Sequence, residues 1–161
     1  MIIGNGCSGK SVLAERLGKI LSVEVTHLDH FYWQGNNRIN INEWQQLHNS
    51  LIQKDTWIIE GTQLRELDQR IAAADLILFL NTNLLICILR AIKKYLKRDA
   101  DYGFPLQKKW FSIIYWLIKF NFVYKPWLFQ KLKSNVKSVV LLDNKREIAY
   151  FLEIITLLAN K

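Results

Sequence analysis

Gly4-Asn5-Gly6-Cys7-Ser8-Gly9-Lys10-Ser11 is the stretch whose reading decides the fold. It has the form Gly-x4-Gly-Lys-Ser, the pattern of a phosphate-binding P-loop, and the spacing has a mechanical reason. Two glycines let the backbone wrap closely around a phosphate, so that successive N–H groups line the inside of the turn. A helix opening directly after the loop adds the partial positive charge of its N-terminus. In such a loop Lys10 reaches the β- and γ-phosphates, and the Ser11 hydroxyl ligates Mg²⁺. The pattern carries this meaning only between a strand and a helix. Met1, Ile2 and Ile3 are apolar before it, and Val12, Leu13, Leu17, Ile20 and Leu21 recur at helical spacing after it. The expectation is a nucleotide held by Gly4, Asn5, Gly6, Cys7, Ser8, Gly9, Lys10, Ser11 and Val12, with Ser11 on the metal.

Outward from this loop, short apolar runs alternate with helical patterns, as in a parallel α/β sheet. Strands are predicted over 1–3, 23–28, 57–61, 75–80 and 138–142. The run 75–80 is uninterrupted and apolar, as a strand covered on both faces should be. Helices are predicted over 42–53 (Trp44, Leu47, Leu51 and Ile52 inward), 64–74, 84–98 and 145–159. A loop at 99–105 leads into an aromatic-rich helical region ending near 133. The whole chain, 1–161, reads as one domain with a five-stranded parallel sheet and a helical, lid-like insertion at about 99–134. No repeat, low-complexity tract or linker interrupts it. The first strand is short, so a few further residues are expected upstream, and no signal-peptide pattern is visible.

With 161 residues, 50% hydrophobic and 22% charged, the chain is long and apolar enough to bury a core, which excludes a disordered class. The net charge of +8 is concentrated. Residues 90–137 hold twelve Lys/Arg against two acids, Asp99 and Asp101. Such a patch suits nucleic acid, an anionic membrane surface or a polyphosphate, and charge alone does not choose among them. Two cysteines, Cys7 and Cys87, are too few for a disulfide framework and are expected as free thiols in the cytoplasm.

Ligands of open parallel sheets bind beyond the carboxyl ends of the strands. That rule gathers the loop, Asp29, residues 61–65 and the start of the basic segment on one rim. Asp29 is a candidate general base for an acceptor hydroxyl, an outer-shell Mg²⁺ partner, or a turn cap. His27 and His30 flank it without any Cys/His spacing of a metal site, and read as core-satisfied or solvent-facing. Arg65 is placed to grip a phosphate or carboxylate bidentately, or to pair with Glu66 or Asp68; Arg70 has the same choice farther from the strand end. Arg90, Lys93, Lys94, Lys97 and Arg98 share one helical face, either solvated or leading into a lid that clamps phosphoryl oxygens. Residues 110–124 (WFSIIYWLIKFNFVY) are apolar nearly all round, but at fifteen residues with Lys119 inside they fall short of a bilayer span. A buried helix is the first reading, with surface association or an oligomer interface as the alternative. Aromatics interleaved with lysines also suit stacking on single-stranded nucleic acid.

A family resemblance adds to this reading. The loop, His27-Leu28-Asp29-x-x-Tyr32-Trp33, Trp57-Ile58-Ile59-Glu60-Gly61, Arg65, Arg70-x-x-x-Ala74-Asp75 and Arg90 together resemble the DNA topology modulation proteins of FlaR type, adenylate-kinase-like P-loop proteins. The resemblance covers nearly the whole chain, most firmly up to Arg90. It implies a sheet of adenylate-kinase type, ATP with Mg²⁺ as ligands, and a kinase that moves the γ-phosphoryl group to a small hydroxyl or phosphate acceptor. It implies catalytic roles for Lys10, Asp29, Arg65, Arg90 and Arg98, with Asp29 at the acceptor and Arg90 to Arg98 at the lid entrance. Val12 stands where such loops commonly carry a hydroxyl residue, and few arginines follow Asn81. The rival expectation is an ATP-dependent regulator that binds nucleic acid, as the family name suggests.

Overall fold

A run of apolar residues covered on both faces satisfies its backbone only by pairing with neighbouring strands, and five such runs do so here. The computed structural model describes residues 1–34, 37–97, 110–134 and 138–160. In chain order the elements are β1 (Ile2–Gly4), α1 (Lys10–Leu21), β2 (Val25–His27), α2 (Leu28–Tyr32), β3 (Trp33–Gln34), β4 (Asn37–Arg38), α3 (Ile41–Ile52) and β5 (Ile58–Glu60). There follow α4 (Leu67–Ala73), β6 (Leu76–Leu80), α5 (Leu84–Lys97), α6 (Trp110–Lys119), a π-helical turn (Phe120–Tyr124), α7 (Lys125–Lys133), β7 (Ser138–Leu142) and α8 (Lys145–Ala159). The five main strands are all parallel in the order β2-β5-β1-β6-β7, and β3 pairs with β4 as a separate antiparallel hairpin. The register sets Glu60 beside both Ile2 and His27, which puts the ends of β5 and β2 next to the start of β1.

Alternation along each strand splits the core between the two faces of the sheet. Ile2, Ile58, Leu78 and Leu80 face α1 and α8 through Leu13, Ala14, Leu17 and Leu152. Ile3, Ile77 and Phe79 face the other way, onto Leu67 and Ile71 of α4 and onto Phe120, Leu128 and Leu132. Ile59 packs with Leu28, Tyr32, Trp44 and Leu51 under α3. The described part of the segment expected as a lid-like insertion therefore covers one face of the sheet. Of that segment, residues 99–109, with the predicted loop at 99–105, lie outside the described residues, as does Arg98.

Three local readings differ from the sequence expectation. β2 ends at His27, and Asp29 lies in the first turn of α2. α4 begins only at Leu67, because Glu66 takes a left-handed conformation, φ 53°, and residues 62–66 stay irregular before it. The aromatic stretch is not buried all round: Ile113, Leu117 and Phe120 point inward, while Phe111, Tyr115, Trp116 and Phe122 are exposed. An α-helix has two sides, and only one of them meets the sheet and α5 here.

Candidate functional site

The loop between β1 and α1 starts at a glycine that sterics demand. Gly4 has φ 152°, and a Cβ there would lie 2.5 Å from the Leu80 carbonyl oxygen of the neighbouring strand. Gly9, at φ 106°, caps α1 without any side-chain hydrogen bond. The first N–H groups of a helix have no partner within it, so the start of α1 presents donors to the loop interior. The loop holds its shape through its own polar atoms. Asn5 donates from Nδ2 to the Leu117 carbonyl at 3.0 Å, and its Oδ1 accepts from the Gly6 N–H at 2.8 Å. Thr62 donates to the Gly4 carbonyl at 2.6 Å and accepts the Gly4 N–H at 3.1 Å. On the far side, Thr82 and Arg90 both donate to the Ser8 carbonyl, at 3.0 and 2.8 Å, and Arg90 also reaches the Cys7 carbonyl at 3.2 Å.

Lys10 is buried with its ammonium folded back over the loop, donating to the Asn5 carbonyl at 2.8 Å. No carboxylate lies within ion-pair distance of it among the described residues. An ammonium has three donors, and one carbonyl does not compensate a buried charge. The Ser8 hydroxyl is likewise buried with no hydrogen-bond partner. The loop thus holds an under-satisfied cation, a spare hydroxyl and a helix N-terminus, a donor set that fits an anionic oxygen ligand.

Beside the loop, Ser11 donates to Glu60 Oε1 at 3.0 Å. The same oxygen lies 2.7 Å from His27 Nδ1, and His27 Nε2 lies 2.8 Å from Glu15 Oε1. With a carboxylate at each ring nitrogen, His27 donates twice and carries a charge. Its hydrogen bond to Glu60 raises its pKa above the ordinary value, with desolvation opposing and Glu15 adding to the rise. Burial alone would raise the Glu60 carboxyl, but the His27 ring, helped by Lys10 and Ser11, outweighs it and holds the pKa below the ordinary value. Asp29 sits across from this cluster, accepting from Gln63 Nε2 at 2.6 Å. Desolvation raises its pKa, with Lys10 pulling the other way and Glu60 reinforcing the rise. Asp29, Glu60 and Lys10 therefore feel one another's charge on the same rim. Arg70 is fully buried, and its guanidinium donates to the carbonyls of Gln63 and Arg65, bracing the segment that presents Gln63 to Asp29.

The structure brings together Lys10, Ser11, Asp29 and, through the loop carbonyls, Arg90. The Arg65 side chain is exposed and makes no hydrogen bond or ion pair with the described residues. Val12 is exposed on the outer side of α1. His27 is the core-satisfied histidine of the two sequence alternatives. Sequence reasoning placed residues 61–65 on the rim without giving Thr62 or Gln63 a role, and it passed over Glu60 and Glu15 as site residues. One signal was available for Glu60: an acid closing the apolar run Trp57-Ile58-Ile59 is buried by its strand and needs a partner. Glu15, Thr62 and Gln63 carry no such mark. The chain matches no known family model and no curated protein.

Proposed function

We propose that this chain binds Mg-ATP in the loop 4–12 and transfers the γ-phosphoryl group to a small acceptor, on a P-loop fold of adenylate-kinase type. The observation that carries the reading is Lys10, a buried cation held by one carbonyl over a helix N-terminus, in a Gly-x4-Gly-Lys-Ser frame. The strand order and the resemblance to FlaR-type proteins support it.

On this reading the loop N–H groups and Lys10 take the phosphate oxygens. Lys10 gives up the Asn5 carbonyl to do so, exchanging a weak neutral partner for a charged one. Bound Mg²⁺ would neutralise phosphate charge, and Ser11 is the residue that would hold it. Glu60 accepts the Ser11 hydroxyl hydrogen, which leaves the oxygen lone pairs open to a metal. Asp29, steadied by Gln63, orients an acceptor hydroxyl and accepts its proton; desolvation makes it the more basic for that role. Arg90 sets the loop carbonyls and so the cradle's width. Phosphoryl transfer asks little covalent chemistry of a protein, so positioning and charge stabilisation do the catalytic work. Arg65, exposed at the same rim, and Arg98, which lies outside the described residues, complete the proposed clamp. The free thiols and the choice of ligand agree with a cytoplasmic enzyme.

The test is Lys10→Ala with Mg-ATP and a panel of nucleosides, nucleotides and small sugars. The wild type should release ADP with at least one acceptor. The variant should fold as the wild type does and lose at least about a hundredfold in turnover, the scale expected when a charge-stabilising group is removed. A wild type that binds no purine triphosphate, or a variant of equal turnover, overturns the assignment.

A further inference from the structure

We infer that the outer face of α5 and α6 is a docking surface for an anionic lipid bilayer, engaged in the membrane interface without crossing it. On α5, Leu85, Leu89, Ile92 and Leu96 follow a four-three-four spacing that lays them along one side of the helix. That side faces outward: Leu89 is 67% exposed and Leu96 76%. The buried side of α5 is instead formed by Cys87 and Ala91, with the half-buried Arg90 reaching the loop carbonyls. On α6 and the turn after it, Tyr115 is 65% and Phe122 68% exposed, alongside Trp110, Phe111 and Trp116. The two faces meet at an apolar groove of about 320 Å³, walled by Ile92 and Leu96 on α5 and by Trp110, Ile113 and Ile114 on α6. A soluble surface seldom gathers this many large apolar side chains in one patch.

Charge names the occupant. Residues 84–97 and 110–124, which carry the face, hold five Lys/Arg and no Asp or Glu, and of the five Arg90 turns to the loop carbonyls. Lys93 and Lys97 are exposed beside the α5 stripe. Lys119 lies over the Tyr115 and Tyr124 rings, at 5.9 and 5.6 Å, so a cation and aromatics share the face. Apolar and aromatic side chains flanked by lysines match a layer of anionic headgroups over acyl chains, and the groove gives a chain end a recess. A second copy would oppose one cationic helix pair with another, since α5 and α6 carry no acid among the described residues, and electrostatic complementarity disfavours that. A nucleic acid would leave the leucine stripe and the groove without apolar partners, whereas its interfaces are polar. No helix among the described residues is long and apolar enough to cross a membrane, which leaves interfacial contact as the geometry.

The experiment is flotation of the purified chain with phosphatidylcholine vesicles, with and without phosphatidylglycerol, across a salt series. Binding should be at least roughly tenfold stronger to the anionic vesicles and should weaken with salt. Leu89→Glu and Leu96→Glu, at exposed positions that leave the core untouched, should each abolish flotation while the circular dichroism and thermal midpoint stay unchanged. Lys93→Glu with Lys97→Glu should remove the preference for phosphatidylglycerol. The proposal is overturned by no flotation, by equal binding to both vesicle types, or by leucine variants that float normally. It is also overturned if sedimentation equilibrium shows a dimer that Leu89→Glu dissociates, or if duplex DNA displaces the chain from the vesicles.

Discussion

His27 and Lys10 show how single residues on this rim are set by their surroundings. His27 is charged because two carboxylates leave its ring no other role, and Glu60 is charged because His27 is there. The pH dependence follows from both shifts. A histidine pKa raised by folding contributes stability that is complete below the ordinary value of 6.5 and is lost as pH rises through the higher folded value. A glutamate pKa lowered by folding contributes stability present above 4.5 and lost as pH falls through the lower folded value. Stability from this pair is thus greatest between the two ordinary values. Urea unfolding along a pH series should show an alkaline loss on the order of 2 kcal/mol from the charged hydrogen bonds. His27→Gln should flatten that limb. In Glu60→Gln the His27 pKa, followed by NMR of the ring protons, should fall; an unchanged value would mean that Glu60 does not hold the ring. The sequence carried Lys10 and Ser11 openly, because the Gly-x4-Gly-Lys-Ser pattern is written in adjacent residues. His27, Glu15 and Glu60 are far apart in the chain, and nothing local marks them as a cluster.

Among the elements, α4 and the irregular stretch before it depend on one side chain. Arg70 is buried without a carboxylate partner among the described residues, and burial pushes its pKa down to about 10, still charged at neutral pH. Its hydrogen bonds hold the carbonyls of Gln63 and Arg65, and through Gln63 they steady Asp29. Arg70→Met keeps the length and removes the donors. It should cost about 2–3 kcal/mol in urea unfolding, since it removes two hydrogen bonds from a charged donor. Measured by ligand titration, it should also weaken an acceptor more than ATP, because the bracing lies on the Asp29 side of the rim. The strands were legible element by element, since uninterrupted apolar runs have few other fates. The start of α4 was not, because the left-handed turn at Glu66 belongs to a residue whose carboxylate is engaged by the Trp44 indole from α3.

For the molecule as a whole, the proposed ligand and the fold are linked. Anything that binds the folded chain alone stabilises it by mass action, about 2.7 kcal/mol at a hundredfold excess over Kd. Mg-ATP at that excess should raise the unfolding free energy of the wild type by this amount, moving the urea midpoint up with an unchanged slope, and should leave Lys10→Ala where it was. A wild type with no shift would separate the fold from any nucleotide role. The sequence by itself determined the five strands, their helical crossovers and the loop at the first turn, because each rests on residues adjacent in the chain: hydrophobic period, glycine placement, a lysine beside a serine. Only the tertiary structure decided which face of α5 turns toward the loop, that the aromatic helix is half-covered, and that His27, Glu60 and Ser11 meet. Those outcomes depend on strand order and register, which place residues far apart in the chain side by side, and periodicity within one element records nothing of its neighbours.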